Sequence, residues 1–552
     1  MIVKNITGLG ASIGIAIGNS YIYENEVDFD IEVKFSYKEA NENLIENFKK
    51  QSEEFQALAR QDEADVLEAY ILILQDPEIT GQISEDISTD SQKIFQVFQS
   101  TADIFNSMDD DYFKQRAEDI ESVGKHLIYS MQGVVKKTEL DENTILIAKD
   151  LTPADTSSMD LQKVSGIILK EGGFTSHAVI VAKNLGIPCV IGVKDLLDDV
   201  ESNISIAIDG DSGQVITNPT KEDKDTLLNK HEEHQKIINS FTKEAYEKLG
   251  LNFRVNIGST EEIESFEHPF LNSIGLFRSE FIYLDSSAAP NLDDQKEVIN
   301  SIGKKFNGTI VYRTLDIGGD KQVSYLNLPV EENPFLGVRG IRLSLANEDL
   351  FTSQVKSILL SDCVDQIKIM FPMISTVPDF LEAKSFVENI ATELSVSIPQ
   401  LGIMVETPSS VFLVDKFAEV VDFISIGTND LTQYIMAADR GNTQLSHYQD
   451  PLSPAVIRAI SKVIDVGKEH NIEVSVCGEM ASDPVAAFGL YILGLKTFSM
   501  SPNSAPFVFH TITKNQDIDR DSLKETILNA NNYLEVREIL QKETQWRFMP
   551  FS

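Results

Sequence analysis

The spacing of apolar residues changes character three times along the chain. Between about residues 33 and 135 they recur at three- and four-residue steps with almost no glycine, which predicts amphipathic helices. In YFKQRAEDIESVGKHLIYSM, for example, Phe113, Ala117, Ile120, Gly124, Leu127 and Met131 fall on one helical face. From Asn143 the rhythm shortens. ENTILIAKDL, VSGIILKEGG, IPCVIGV and SIAIDGDSGQVI are short β-rich runs broken by glycine, and TSHAVIVAKNLG between two of them predicts a helix. The opening GLGASIGIAIGNSYIY has the same texture. Residues 1–30 and 143–220 are therefore expected to form one α/β domain, with residues 31–142 inserted as a helical domain.

Residues 219–250 read as a single long helix. Pro219 precedes it, Glu222, Asp223 and Asp225 favour its N-terminal dipole, and Gly250 suits its end. At 1.5 Å per residue the stretch 221–250 would span about 45 Å, a linker helix joining two bodies. After it, eight β-rich runs alternate with helical stretches: FRVNI (253–257), SIGLF (273–277), TIVYR (309–313), IKIMF (367–371), LGIMV (401–405), DFISI (422–426), IEVSV (472–476) and KTFSM (496–500). Eight β/α units over residues 251–552 predict a (β/α)8 TIM barrel, with an open doubly wound sheet as the alternative. The expected fold class is thus multidomain α/β.

Composition narrows the function. Acids outnumber bases 86 to 47, for a net charge of −39 and a pI near 4.5, so non-specific nucleic-acid binding and attachment to anionic membranes are disfavoured. Residues 51–100 alone hold eleven acids against two bases. Three cysteines (Cys189, Cys363 and Cys477) cannot build a disulfide framework, and their odd number fits a reducing cytoplasm. The start lacks the apolar core of a signal peptide, and no run approaches the ~20 apolar residues of a membrane span. A cytoplasmic, soluble, multidomain protein is expected.

In a (β/α)8 barrel the chemistry gathers just beyond the strand C-termini. That rule selects Arg278, Arg313, Glu406, Asn429, Asp430 and Cys477, with Arg440 one helix beyond Asp430 and Arg339 in ENPFLGVRGIR. Arginines suit bidentate contact with carboxylate or phosphate, and paired carboxylates beside them suit Mg²⁺. Each has a plainer alternative: an arginine in a surface ion pair, or Cys477 as a small buried hydrophobe. In EGGFTSHAVIVAKNLGIPCVIG, Gly172 and Gly173 permit close backbone approach, and Thr175–Ser176 can cap the helix that follows. His177 would then sit in a first helical turn, where backbone N–H groups favour an anion. It could hold a phosphoryl group on a ring nitrogen, or simply hydrogen-bond the loop.

Taken together these segments resemble the phosphoenolpyruvate–protein phosphotransferases, Enzyme I of the bacterial sugar phosphotransferase system. GGFTSHAVIVAKNLGIPCVIG is similar to the family's phosphohistidine motif, and DFISIGTNDLTQYIMAADRGN to its second signature. GLFRSEF, RTLDIGGDK, EENPFLGVR, GIMVETPSS and VCGEMASD match in order and spacing. The resemblance implies that His177 accepts the phosphoryl group of phosphoenolpyruvate and that Arg278, Arg313 and Arg440 hold that substrate, with Asn429 and Asp430 beside it. It further implies that Glu406 and Asp430 bind Mg²⁺ and that Cys477 protonates the enolpyruvate carbon. YFKQRAEDIESVGKHL is similar to the helical block that docks the histidine phosphocarrier protein HPr, and barrels of this family form homodimers. Sugar uptake would be the process served.

Two positions depart from the family pattern: Phe174 and Lys183 stand where arginine is frequent. The tail KETQWRFMPFS matches none of the motifs. Phosphoenolpyruvate synthase and pyruvate phosphate dikinase share the histidine domain and barrel. They also carry a nucleotide-grasp domain, for which the 142 residues before Asn143 leave no room. The remaining alternatives are a nitrogen-type paralogue and a catalytically weak regulatory protein on the same scaffold.

Overall fold

The computed structural model describes residues 4–544 apart from positions 13, 24–26, 58–60, 107–110, 135–139, 152–154, 157–158, 171–176, 194–199, 201, 285–287, 319–322, 327–330 and 440–442. The chain divides into two compact units between Glu232 and Glu233.

The first unit contains an eight-stranded sheet of β1 (Lys4–Thr7), β2 (Leu9–Ser12), β3 (Ile15–Tyr23), β4 (Thr144–Ala148), β5 (Val164–Leu169), β6 (Cys189–Ile191), β7 (Ser205–Asp209) and β8 (Gln214–Thr217). Their order is β1-β8-β7-β3-β4-β5-β6-β2, so segments from both ends of the helical insertion interleave. β3, β4, β5 and β6 run parallel, whereas β7 pairs antiparallel with β3. Side chains alternate across the pleat. Ile145 and Ile147 of β4 join one core with Ile168, Ile206 and Ile208, while Leu146 and Ala148 join the opposite one. On that second face the helix His177–Leu185 packs through Ala178, Val179 and Ala182. It lies between β5 and β6, as TSHAVIVAKNLG predicts.

Among the described residues the insertion folds as four long helices, Tyr37–Ala57, Gln61–Gln75, Ser91–Asn106 and Asp111–Gln132. Their core includes Leu44, Phe48, Tyr70 and Phe98 together with Ala117, Ile120, Leu127 and Met131 of the predicted stripe. Gly124 belongs to that stripe for a steric reason: a Cβ there would lie 2.9 Å from the Cβ of Phe98. The side chain of Phe113 lies outside the described residues.

The linker differs from expectation. Instead of one helix over 221–250 there are two, Lys221–Ser240 and Lys243–Leu249. The break has a local cause. Thr242 is extended and caps the second helix, its side chain accepting the Ala245 N–H, and Phe241 turns inward. Its ring meets those of Tyr246, Phe253, Phe270 and Phe509 at centroid distances of 4.9–6.2 Å. Burial of a phenyl ring, worth about 1.5–3 kcal/mol, offsets backbone hydrogen bonds lost at the break. Gly250 closes the second helix in the left-handed region, at φ 69°.

The second unit is a closed barrel of eight parallel strands: β9 (Asn252–Ile257), β10 (Ile274–Arg278), β11 (Ile310–Arg313), β12 (Ile367–Phe371), β13 (Gln400–Val405), β14 (Phe423–Ile426), β15 (Glu473–Val476) and β16 (Thr497–Met500). All eight overlap the predicted runs, and the open-sheet alternative is excluded because β16 pairs with β9. Most apolar side chains face outward to the helices in one large core. A separate inner cluster of Leu276, Val311, Met370, Met404, Phe423 and Cys477 fills the barrel. Among the described residues no helix is long and apolar enough to cross a membrane.

Candidate active site at the barrel mouth

A cavity of ≈ 190 Å³ opens above the inner apolar cluster, at the C-terminal ends of the strands. Leu276, Met404 and Cys477 contribute to its floor, and Arg278, Arg313, Asp316, Arg339, Glu406, Asn429, Asp430 and Glu479 to its polar walls. Seven of the barrel residues singled out in the sequence therefore converge on one space: Arg278, Arg313, Arg339, Glu406, Asn429, Asp430 and Cys477. Arg440 lies outside the described residues, as does segment 171–176, and the side chains of His177 and Lys183 are likewise not described. The backbone of His177 opens the helix that ends at Leu185.

Arg278, the last residue of β10, is exposed and makes no ion pair among the described residues. Arg313, ending β11, is buried. It pairs with Glu280 and, at 3.3 Å, with Asp316. Its Nε has no hydrogen-bond partner among the described residues, leaving one buried donor unused. Burial works to discharge this guanidinium, but the carboxylates of Glu280, Asp316 and Glu406 outweigh it and hold the charge more firmly than usual.

Arg339 forms a brace that strand-end reading does not foresee. Its planar fork spans two carboxylates: Nε and Nη2 donate to Asp316 at 3.0 Å each, and Nη1 and Nη2 to Asp430 at 3.0 and 3.1 Å. Only 1% of Arg339 is exposed. Nη1 also donates to the Tyr434 hydroxyl at 3.3 Å. Asp316 and Glu280 escaped the sequence reading although the same rule reaches them, since they follow the ends of β11 and β10 by three and two residues.

Glu406, fully buried just beyond β13, accepts the Met373 N–H on Oε1 at 2.6 Å. Its Oε2 finds no hydrogen-bond partner among the described residues. Burial, with repulsion from Asp430 and Asp316, pushes this carboxyl up to about 8. Gly427 leaves room for that oxygen, because a Cβ there would sit 3.0 Å from it. Asn429 accepts the Glu479 N–H at 3.3 Å and so ties the start of the helix after β14 to the turn after β15. Cys477 is 2% exposed. Burial raises its thiol above the ordinary range, partly opposed by Ser425 and Arg313.

Glu406 and Asp430 fit a hard divalent cation. An orphaned, fully buried carboxylate oxygen beside a second carboxylate is a site that lacks positive charge. Asp430, the second carboxylate, is bonded to Arg339 through both of its oxygens. Among the described residues no group of three or more His, Cys, Asp and Glu converges on a metal position, so such an ion would complete its shell with water or substrate oxygens, as Mg²⁺ commonly does.

Such a barrel, with arginines interlaced with carboxylates at its mouth, fits the class of phosphoenolpyruvate-utilising enzymes. Three family models of that class match in order: the N-terminal model over residues 7–116, the mobile domain over 140–213 and the PEP-binding domain over 232–516. The chain is 36% identical to the phosphoenolpyruvate-protein phosphotransferase of Listeria innocua, with 98% of this chain and 99% of that one aligned. It is 37% identical to that of Bacillus subtilis over 97% and 98% of the two chains, and 34% identical to that of Staphylococcus carnosus over 98% and 99%. The chain belongs to the phosphoenolpyruvate-protein phosphotransferase family and is a phosphotransferase enzyme.

Proposed function

We propose that the protein takes the phosphoryl group of phosphoenolpyruvate onto His177, releases pyruvate, and passes the phosphoryl group to a histidine phosphocarrier of the HPr type as the first step of sugar uptake. The observation that carries the substrate assignment is the pair of buried unpartnered atoms on residues of one small cavity, a donor on Arg313 and a carboxylate oxygen on Glu406. A phosphorylated acid arriving with a divalent cation satisfies both.

Charge supports the same reading. The described walls hold three guanidinium groups (Arg278, Arg313, Arg339) against four carboxylates (Asp316, Glu406, Asp430, Glu479). A trianionic substrate in such a cavity requires added positive charge; Glu406 and Asp430 would hold Mg²⁺, which would supply charge neutralisation there. Arg278 and Arg313 then hold the carboxylate and phosphate, joined by Arg440. Asn429 lies beside the phosphate, and Asp430 is shared by metal and substrate sites. Phosphoryl transfer needs chiefly positioning and charge neutralisation. The departing enolpyruvate becomes pyruvate once its C3 gains a proton, which the Cys477 thiol donates.

Homodimerisation through the barrel and a cytoplasmic setting complete the proposal. The test is a transfer assay with purified HPr-type carriers, Mg²⁺ and labelled phosphoenolpyruvate. Label should reach at least one carrier, and Arg313→Ala should depress the rate by about 10²-fold or more. Pyruvate formation with no carrier labelled would remove the carrier step; an unaffected Arg313→Ala would remove the substrate site.

A further inference from the structure

Met373 follows β12 and is one of seven non-glycine residues with positive φ among the described positions, at 58°. It is only 2% exposed and is neither a turn asparagine nor a helix cap. An unforced methionine avoids this region because its Cβ crowds the carbonyl oxygen. Held strain of this kind clusters where the surrounding structure fixes a functional group.

What surrounds Met373 tells which group that is. Its N–H is the sole hydrogen-bond donor to Glu406 among the described residues, at 2.6 Å. The next two residues are fastened to the same loop: the Ile374 carbonyl accepts from Thr407 Oγ1 at 3.1 Å, and the Ser375 carbonyl from Ser409 Oγ at 2.7 Å. Three hydrogen bonds thus stitch residues 373–375 to residues 406–409. With its N–H on Glu406, Met373 takes a left-handed turn and the chain continues along that seam. Gly340, itself at φ 61°, makes the space, since a Cβ there would lie 3.0 Å from the Met373 Cβ.

We infer that Met373 is a positioning residue: its left-handed backbone fixes one oxygen of Glu406 so that the other stays unbonded for the divalent cation. The inference rests on the metal reading of Glu406 given above and adds the element that presets it. Loss of a partner that orients a metal ligand typically lowers metal affinity about 10–100-fold.

The test titrates Mn²⁺ alone against the full chain and reads bound metal from the decay of the free-ion paramagnetic resonance signal. Met373→Ile carries a β-branched side chain poorly suited to positive φ and is expected to weaken Mn²⁺ about 10–100-fold. Met373→Asn, which tolerates the left-handed region, should recover most of that loss. Glu406→Gln separates the two levels. Weak Mn²⁺ binding in both Glu406→Gln and Met373→Ile supports the inference, and wild-type affinity in Met373→Ile beside a weakened Glu406→Gln overturns it. Wild-type affinity in Glu406→Gln overturns the metal reading itself. If Met373→Ile does not fold, Thr407→Val decides in the same sense, because it removes the neighbouring stitch: weaker Mn²⁺ supports the inference and unchanged affinity overturns it.

Discussion

Cys477 shows how position within the barrel decides what a residue can do. A cysteine at the end of an apolar strand is ordinarily a small hydrophobe, and half of this one is: it packs with Leu276, Met404 and Phe423 inside the barrel. Its other half lines the polar cavity. Burial raises the thiol, so the protonated form persists to higher pH than in a free cysteine. That is the direction a proton donor requires. Cys477→Ala is expected to slow pyruvate formation about 10²–10⁴-fold while phosphoenolpyruvate still binds, and the wild-type rate should show no loss near pH 8.5, where free thiols ionise. Stopped-flow measurement of pyruvate release checks both. Wild-type turnover in the mutant contradicts the role.

Elements carry the next lesson. The broken linker rests on Thr242, whose side chain caps the helix Lys243–Leu249. Thr242→Ala should cost the barrel unit about 1 kcal/mol, read as a lower denaturant midpoint of its transition; an unchanged midpoint would mean that the buried Phe241 ring alone enforces the break. This break was partly legible, since a threonine with Glu244 two residues later is a helix-start signal. Apolar spacing ran through it undisturbed, because Phe241 belongs to the tertiary core and not to a helical stripe. Barrel strands were legible for the converse reason: each is a short β-rich run flanked by helices, and eight of them favour a barrel, although closure itself rests on the pairing of β16 with β9. The Arg339 brace was not. Its aspartates lie 23 and 91 residues away in sequence, and nothing local marks an arginine as fully buried. Met373 was hidden too, as positive φ at a methionine leaves no compositional trace.

At the scale of the whole chain the acidity is shared unequally. Residues 1–250 carry 46 acids and 23 bases, and residues 251–552 carry 40 and 24. Within the barrel an anionic substrate needs local arginines against that field. In the N-terminal part the excess suits a carrier with a basic face. Association with such a carrier should then slow about tenfold or more between low and high ionic strength, followed by stopped-flow fluorescence; a flat salt profile would argue against electrostatic docking. On the proposed function the chemistry would draw on both parts, with His177 in the α/β domain and the substrate site in the barrel. The most direct test is incubation of the full chain with ³²P-labelled phosphoenolpyruvate and Mg²⁺, followed by mapping of the acid-labile label. The account predicts label on His177 and none in His177→Ala. Label that persists in that variant would contradict it.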